Sequence, residues 1–163
     1  MCPSGMRGRC VMRICDAVYL VDTNVISAGA PSKGQRWAEL AEWMDANSDR
    51  LFLSTVSVAE IEAGIAKAYR EGRRHAGGLT AWLDTVLHLY AARVLPFDLA
   101  AARLAGQLAD QARATGHAPG FPALAIAATA QMHTLTVLTR NVRHFNPPGL
   151  PVHDPFASLP SAS

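Results

Sequence analysis

Residues 18–27 read VYLVDTNVIS. Tyr19, Leu20 and Val21 form a short apolar run of the kind that fills a buried strand. The run ends on a carboxylate, Asp22, with a hydroxyl and an amide behind it at Thr23 and Asn24. Two readings fit this ending. Asp and Asn bond to their own backbone and favour turns. A site at the carboxyl edge of a parallel sheet also places polar groups at a strand end. The rest of the chain has to decide.

Working outward, apolar runs and helical periodicities alternate. LFLSTVS (51–57), RVLPF (93–97) and TLTVLT (134–139) read as strands, with one more around PVHDPF (151–156). Between them, residues 32–49 place Trp37, Leu40, Ala41 and Met44 at helical spacing. Residues 57–72 place Ile61, Ile65 and Ala68 on one face and stop at Gly72. Helices follow over 79–91, over 99–116 with Asp98 as its cap and Gly116 as its stop, and over the very apolar 123–133. Strands separated by helices predict an α/β domain with a mostly parallel sheet. In such a sheet the strand carboxyl ends carry the site, which favours the second reading of Asp22.

Composition agrees with one folded domain. The chain has 163 residues, half of them hydrophobic and 17% charged, enough to bury roughly two thirds of its unfolded surface. We expect an extension over residues 1–17 that is poorly ordered, a domain over 18–157 and a tail over 158–163. Met12 is an alternative start. A formal charge of +2 permits a polyanionic partner without demanding one. No apolar run approaches the ~20 residues of a membrane helix, and Arg13 and Asp16 interrupt any signal-peptide core, so the expected location is cytoplasmic. Cys2, Cys10 and Cys15 all lie in the extension, odd in number and without CxxC spacing, which argues against a disulfide framework. The six histidines show no paired ligand spacing for zinc.

Glu60 is the second acid of interest. Ser57-Val58-Ala59-Glu60 fits a capping box, with Glu60 reaching back to the Ser57 amide. A glutamate in the first turn after a strand also lies at the sheet's carboxyl edge, beside Asp22. Thr139, Arg140 and Asn141 end the last strand on polar groups in the same region. One or two carboxylates with water completing the shell suffice for Mg²⁺.

YLVDTNVIS (19–27), LSTVSVAEIEAGI (53–65), VLPFD (94–98), GFPALAIAATA (120–130) and LTVLTRNVRHF (135–145) follow one another in an order that resembles the PIN-domain family. The branch they resemble is the VapC and FitB-like toxins of type II toxin–antitoxin pairs. The resemblance runs from about Tyr19 to Phe156. It implies a three-layer domain with a central, mostly parallel sheet flanked by helices. It also implies a Mg²⁺- or Mn²⁺-dependent endoribonuclease that forms a homodimer and is inhibited by a small VapB-like antitoxin.

On this resemblance Asp22 and Glu60 are metal ligands. Relatives open the apolar helix with an aspartate where this chain has Ala123, so one ligand is missing. Either the residue was changed deliberately to disarm a toxic ribonuclease, or the member is naturally weakened; the intact surroundings favour the former. Some members carry a fourth acid at the position of Asn141 and others at that of His144; here Asn141 is expected to assist catalysis through its amide oxygen, on a metal or a water. Thr23, Asn24 and Thr139 are expected to hold the site in shape by hydrogen bonds. Arg140 and Arg143 are the candidates for RNA phosphates, while His144 reads as a solvent-facing turn residue. Arg70, Arg73 and Arg74 serve RNA, an antitoxin tail or solvent. Trp37, Trp43 and Trp82 read as core or interface. The alternative function is a non-catalytic PIN-like module that binds RNA or a partner, and Ala123 keeps it open. A phosphate-accepting receiver domain is weaker, since Arg140 stands where that chemistry wants lysine.

Overall fold

The computed structural model describes residues 17–145 and 149–161; the three cysteines and most of the expected extension lie outside them. Five short strands form one parallel sheet in the order β3-β2-β1-β4-β5. They are β1 (Tyr19–Val21), β2 (Leu51–Ser54), β3 (Val94–Leu95), β4 (Thr136–Leu138) and β5 (Val152–His153). The helices are α1 (Thr23–Ile26), α2 (Ala38–Ala46), α3 (Thr55–Arg70), α4 (Ala76–Tyr90), α5 (Leu99–Ala114) and α6 (Phe121–Met132). The expected three-layer α/β domain is what forms.

Side chains alternate across a strand, and β1 uses both faces. Tyr19 and Val21 join a core with Leu40 of α2, Ile61 and Ile65 of α3, and Leu83 and Tyr90 of α4. Leu20 points the other way, into a core with Ala105 and Leu108 of α5 and Ile126, Ala127 and Ala130 of α6. Both faces being covered explains why β1 reads as a continuous apolar run. Alanines at Ala101, Ala105 and Ala112 of α5 and through α6 are buried, and such small side chains let helices approach closely. The hydroxyl of Thr129, buried within α6, donates to the Ala125 carbonyl at 2.8 Å, so it is not left unsatisfied. Trp37, Trp43 and Trp82 pack half-buried against the first core.

The topology places the site. From β1 the chain moves outward through β2 to β3, then returns to the other side of β1 as β4. The order therefore reverses between β1 and β4, and ligand crevices form where it does. Tyr19 pairs with Thr136 and Val21 with Leu138, so both strands end level. The Asp22 amide extends this pairing by donating to the Leu138 carbonyl at 2.9 Å. Asp22 and Thr139 thus leave the sheet side by side.

Two local expectations are corrected. Residues 51–57 are not all strand, because α3 begins at Thr55 with Ser54 as its cap, the Ser54 hydroxyl accepting from the Val56 amide at 3.1 Å. The Ser57–Glu60 capping box consequently does not form. Ser57 is buried inside α3 with no hydrogen-bond partner for its hydroxyl, and Glu60 sits a turn further into the helix. Asp98 does cap α5, accepting from the Ala101 amide at 2.9 Å. Among the described residues no helix is long and apolar enough to cross a membrane.

Candidate active site

Asp22 is 8% exposed, and its carboxylate receives three donors. Oδ1 accepts from the Thr23 amide at 2.8 Å, which caps α1. Oδ2 accepts from Asn24 Nδ2 at 2.7 Å and from the Thr139 hydroxyl at 2.6 Å. The turn chemistry of the DTN stretch forms, and it holds the carboxylate at the carboxyl end of the strand. Asn24 ties the site to β4 a second time, its Oδ1 accepting from the Arg140 amide at 3.1 Å. The Asn141 amide donates to the Thr139 oxygen at 3.0 Å.

Thr23 links the two acids. Its amide serves Asp22, and its hydroxyl donates to Glu60 Oε2 at 2.5 Å. Glu60 reaches the site from α3 through this contact, where the capping box would have turned it back on its own helix. The two carboxylates share a pocket of about 400 Å³ whose remaining wall includes Gly120, Pro122, Ala123, Asn141, His144 and Phe145. Ala123 stands half-buried on that wall.

Burial pushes the Asp22 carboxyl above its ordinary value, because desolvation disfavours the charged form. The hydrogen bonds from Thr139, Thr23 and Asn24, and the nearby positive charge of His144, pull in the opposite direction and are outweighed. Neither Asp22 nor Glu60 forms an ion pair with Lys or Arg among the described residues; the pairs seen there join Glu71 to Lys67 and Arg73. A pocket with two carboxylates and no cationic side chain bonded to either is a place for a cation.

The donor set fits a divalent ion held partly by water. One lone-pair position of Asp22 stays open beyond its three donors, as does Glu60 Oε1, and Asn141 adds an amide oxygen at the pocket wall. A cage of three or more Asp, Glu, His or Cys does not exist among the described residues. An acid at position 123 would supply a third carboxylate on the same wall.

Of the residues expected at the site, Asp22, Thr23, Asn24, Glu60, Ala123 and Asn141 line this pocket, and Thr139 lies buried beneath it. Arg140 and Arg143 are exposed and line an adjoining groove. Arg70, Arg73 and Arg74 are not at the pocket, and Arg73 pairs with Glu71 at 2.8 Å. His144 is exposed as expected, yet also lines the pocket, where its charge bears on Asp22. Gly120, Pro122 and Phe145 were missed as wall residues, since an apolar wall has no chemical signature in sequence.

Comparison with known proteins shows the family. A family model described as PIN domain matches residues 19–148. A VapC ribonuclease of Sinorhizobium fredii is 39% identical over 140 residues, covering 85% of this chain and 98% of that protein. Toxin FitB of Neisseria gonorrhoeae is 33% identical over 141 residues, covering 85% of this chain and 99% of its own. The plasmid stability protein StbB of Pseudomonas syringae is 36% identical with similar coverage, 85% and 99%. Among solved structures, the FitAcB complex of Neisseria gonorrhoeae contains a chain with a TM-score of 0.72 and 30% identity, covering 85% of this chain and 99% of that one. With its pocket, its ordered motifs and these relatives in agreement, the chain belongs to the PIN-domain family.

Proposed function

We propose that the protein is the toxin of a type II toxin–antitoxin pair, built as a metal-dependent endoribonuclease and impaired by Ala123. The observation that supports this most is the Asp22–Thr23–Glu60 linkage, which gathers two carboxylates in one pocket with Ala123 on its wall. The ion is Mg²⁺ or Mn²⁺, held by Asp22 and Glu60 with Asn141 assisting. When bound, it supplies Lewis acidity toward an RNA phosphodiester and activates water.

The chain's own residues orient and tune. Thr139, Asn24 and the Thr23 amide keep the Asp22 carboxylate in one orientation. The Thr23 hydroxyl fixes Glu60, and Asn141 presents its amide to the substrate side. Arg140 and Arg143, beyond the pocket rim, meet RNA phosphates. With alanine at 123 the cation is held by fewer charges, and the reacting groups are less well placed.

The partners are RNA, a VapB-like antitoxin and a second copy of the chain, in the cytoplasm. Solved relatives named as FitAB and VapBC complexes support the antitoxin. Leu99, 78% exposed, and Phe121, 62% exposed, open α5 and α6 with an apolar surface that supports self-association; sedimentation at the mass of a monomer would contradict the dimer. The second reading, a binding module that does not cut, draws on the same Ala123. Cleavage of total RNA in Mg²⁺ or Mn²⁺ separates the two. Ala123→Asp is expected to cut about a thousandfold faster than the chain as it stands, equivalent to ~4 kcal/mol of transition-state stabilisation, and EDTA to abolish it. No cleavage by either form would favour the binding module.

A further inference from the structure

Asn141 and His144 line the Asp22–Glu60 pocket and also a groove of about 410 Å³ that continues past Arg140 and Arg143. The Arg140 guanidinium lies 4.9 Å from the centre of the Trp37 ring and 4.1 Å from that of Phe156. These two rings meet edge to face at 4.8 Å. They line a third hollow, of about 500 Å³, between residues 35–40 and 155–159. A second guanidinium, that of Arg36, sits 5.2 Å from the same Trp37 ring.

Both arginines are exposed, and among the described residues neither has an ion-pair partner. Two exposed guanidinium cations on one indole concentrate positive charge that no carboxylate pairs with among the described residues. An anion beside them removes the imbalance. Guanidinium groups stacked on aromatic rings are already oriented, and their planar fork matches phosphate. The one carboxylate lining the third hollow, Glu39, belongs to the first turn of α2.

We infer that Arg36 and Arg140, held by Trp37 and Phe156, form a clamp for the phosphates of a single RNA strand as it leaves the Asp22–Glu60 pocket. The inference rests on the ribonuclease reading. Shared lining residues select RNA as the occupant. One extended chain that fills the pocket continues along residues 140–144 to the clamp, and it carries a phosphate at every nucleotide. Phosphate contacts of this kind fix the register of a strand without reading its sequence.

The test measures binding by fluorescence anisotropy, with Ca²⁺ replacing Mg²⁺ and two labelled RNAs, a uridine dinucleotide and a uridine 12-mer. Arg36→Ala changes an exposed residue outside the pocket. It is expected to weaken the 12-mer about fivefold at 0.1 M salt and to reduce the salt slope by about 0.7, the signature of one lost single-strand phosphate contact. Dinucleotide affinity should not change. Phe156→Leu keeps apolar bulk but removes the ring under Arg140, and should weaken the 12-mer alone as well. If the 12-mer binds Arg36→Ala with unchanged affinity and slope, the clamp is wrong while the ribonuclease reading stands. If the unaltered chain binds neither RNA, both fall. An oligo-aspartate peptide that displaces the 12-mer as effectively as unlabelled RNA would overturn RNA as the occupant.

Discussion

Asp22 is a buried carboxyl whose hydrogen bonds only partly offset the cost of its burial. Three donors hold it, yet desolvation still leaves its pKa above the ordinary carboxylate value. The sign follows from linkage: a group whose folded pKa is raised favours the folded state only while it is protonated in both states, below the unfolded value near 3.9. That advantage is lost as pH rises through the folded pKa. Asp22→Asn has no such titration. In thermal unfolding without metal between pH 4 and 8, the difference in Tm between variant and parent should shift toward the variant as pH rises. A difference independent of pH would contradict this. The same residue shows what sequence could and could not say. Its place at a strand end was legible in the apolar run before it; its link to Glu60 was not. That link depends on Thr23, 37 residues from Glu60 in the chain, and on α3 starting early enough to turn Glu60 toward the pocket. The Ser57–Glu60 spacing read as a local cap that would still set Glu60 at the sheet's carboxyl edge beside Asp22, and the nearer Ser54 pre-empts that cap.

Three helices end alike. After α3 the Arg73 amide donates to the Ala68 carbonyl and the Gly72 amide to Tyr69; after α5 the His117 amide donates to Ala112 and the Gly116 amide to Arg113. After α6 the Leu135 amide donates to Ala130 and the Thr134 amide to Gln131. Each pair of bonds is the Schellman closure, which needs a left-handed residue. Gly72 and Gly116 supply it at φ of 64° and 76°, which is why both stops could be read from sequence. The third position holds Thr134 at φ 56°, where a β-branched side chain is strained. Thr134→Gly should therefore stabilise the protein by about 1 kcal/mol after the glycine's extra chain entropy is subtracted, raising Tm by roughly 3 °C. A lower Tm would show that Thr134 carries no strain there. The turn lies at the amino-terminal edge of β4, away from the pocket, so RNA cleavage should not follow the change.

At the scale of the molecule, the reversal of strand order beside β1 explains the site's position. It sets Asp22 and Thr139 side by side and brings α3 and α6 to the same edge, so that Glu60 and residue 123 face one pocket. Alternation of strands and helices was enough to predict this parallel architecture, and ordered motifs were enough to predict the family. The arginine–aromatic corner was not legible, because Trp37, Arg140 and Phe156 are brought together by tertiary folding alone and each has an ordinary role in its own segment. The central claim is that the pocket is a divalent-cation site short of one carboxylate. Calorimetric titration of Mn²⁺ into the chain, Ala123→Asp and Ala123→Asp combined with Glu60→Gln tests it most directly. The account predicts at least tenfold tighter binding for Ala123→Asp than for the chain as it stands, with that gain lost when Glu60 is replaced. Equal Mn²⁺ affinity in all three proteins would contradict it.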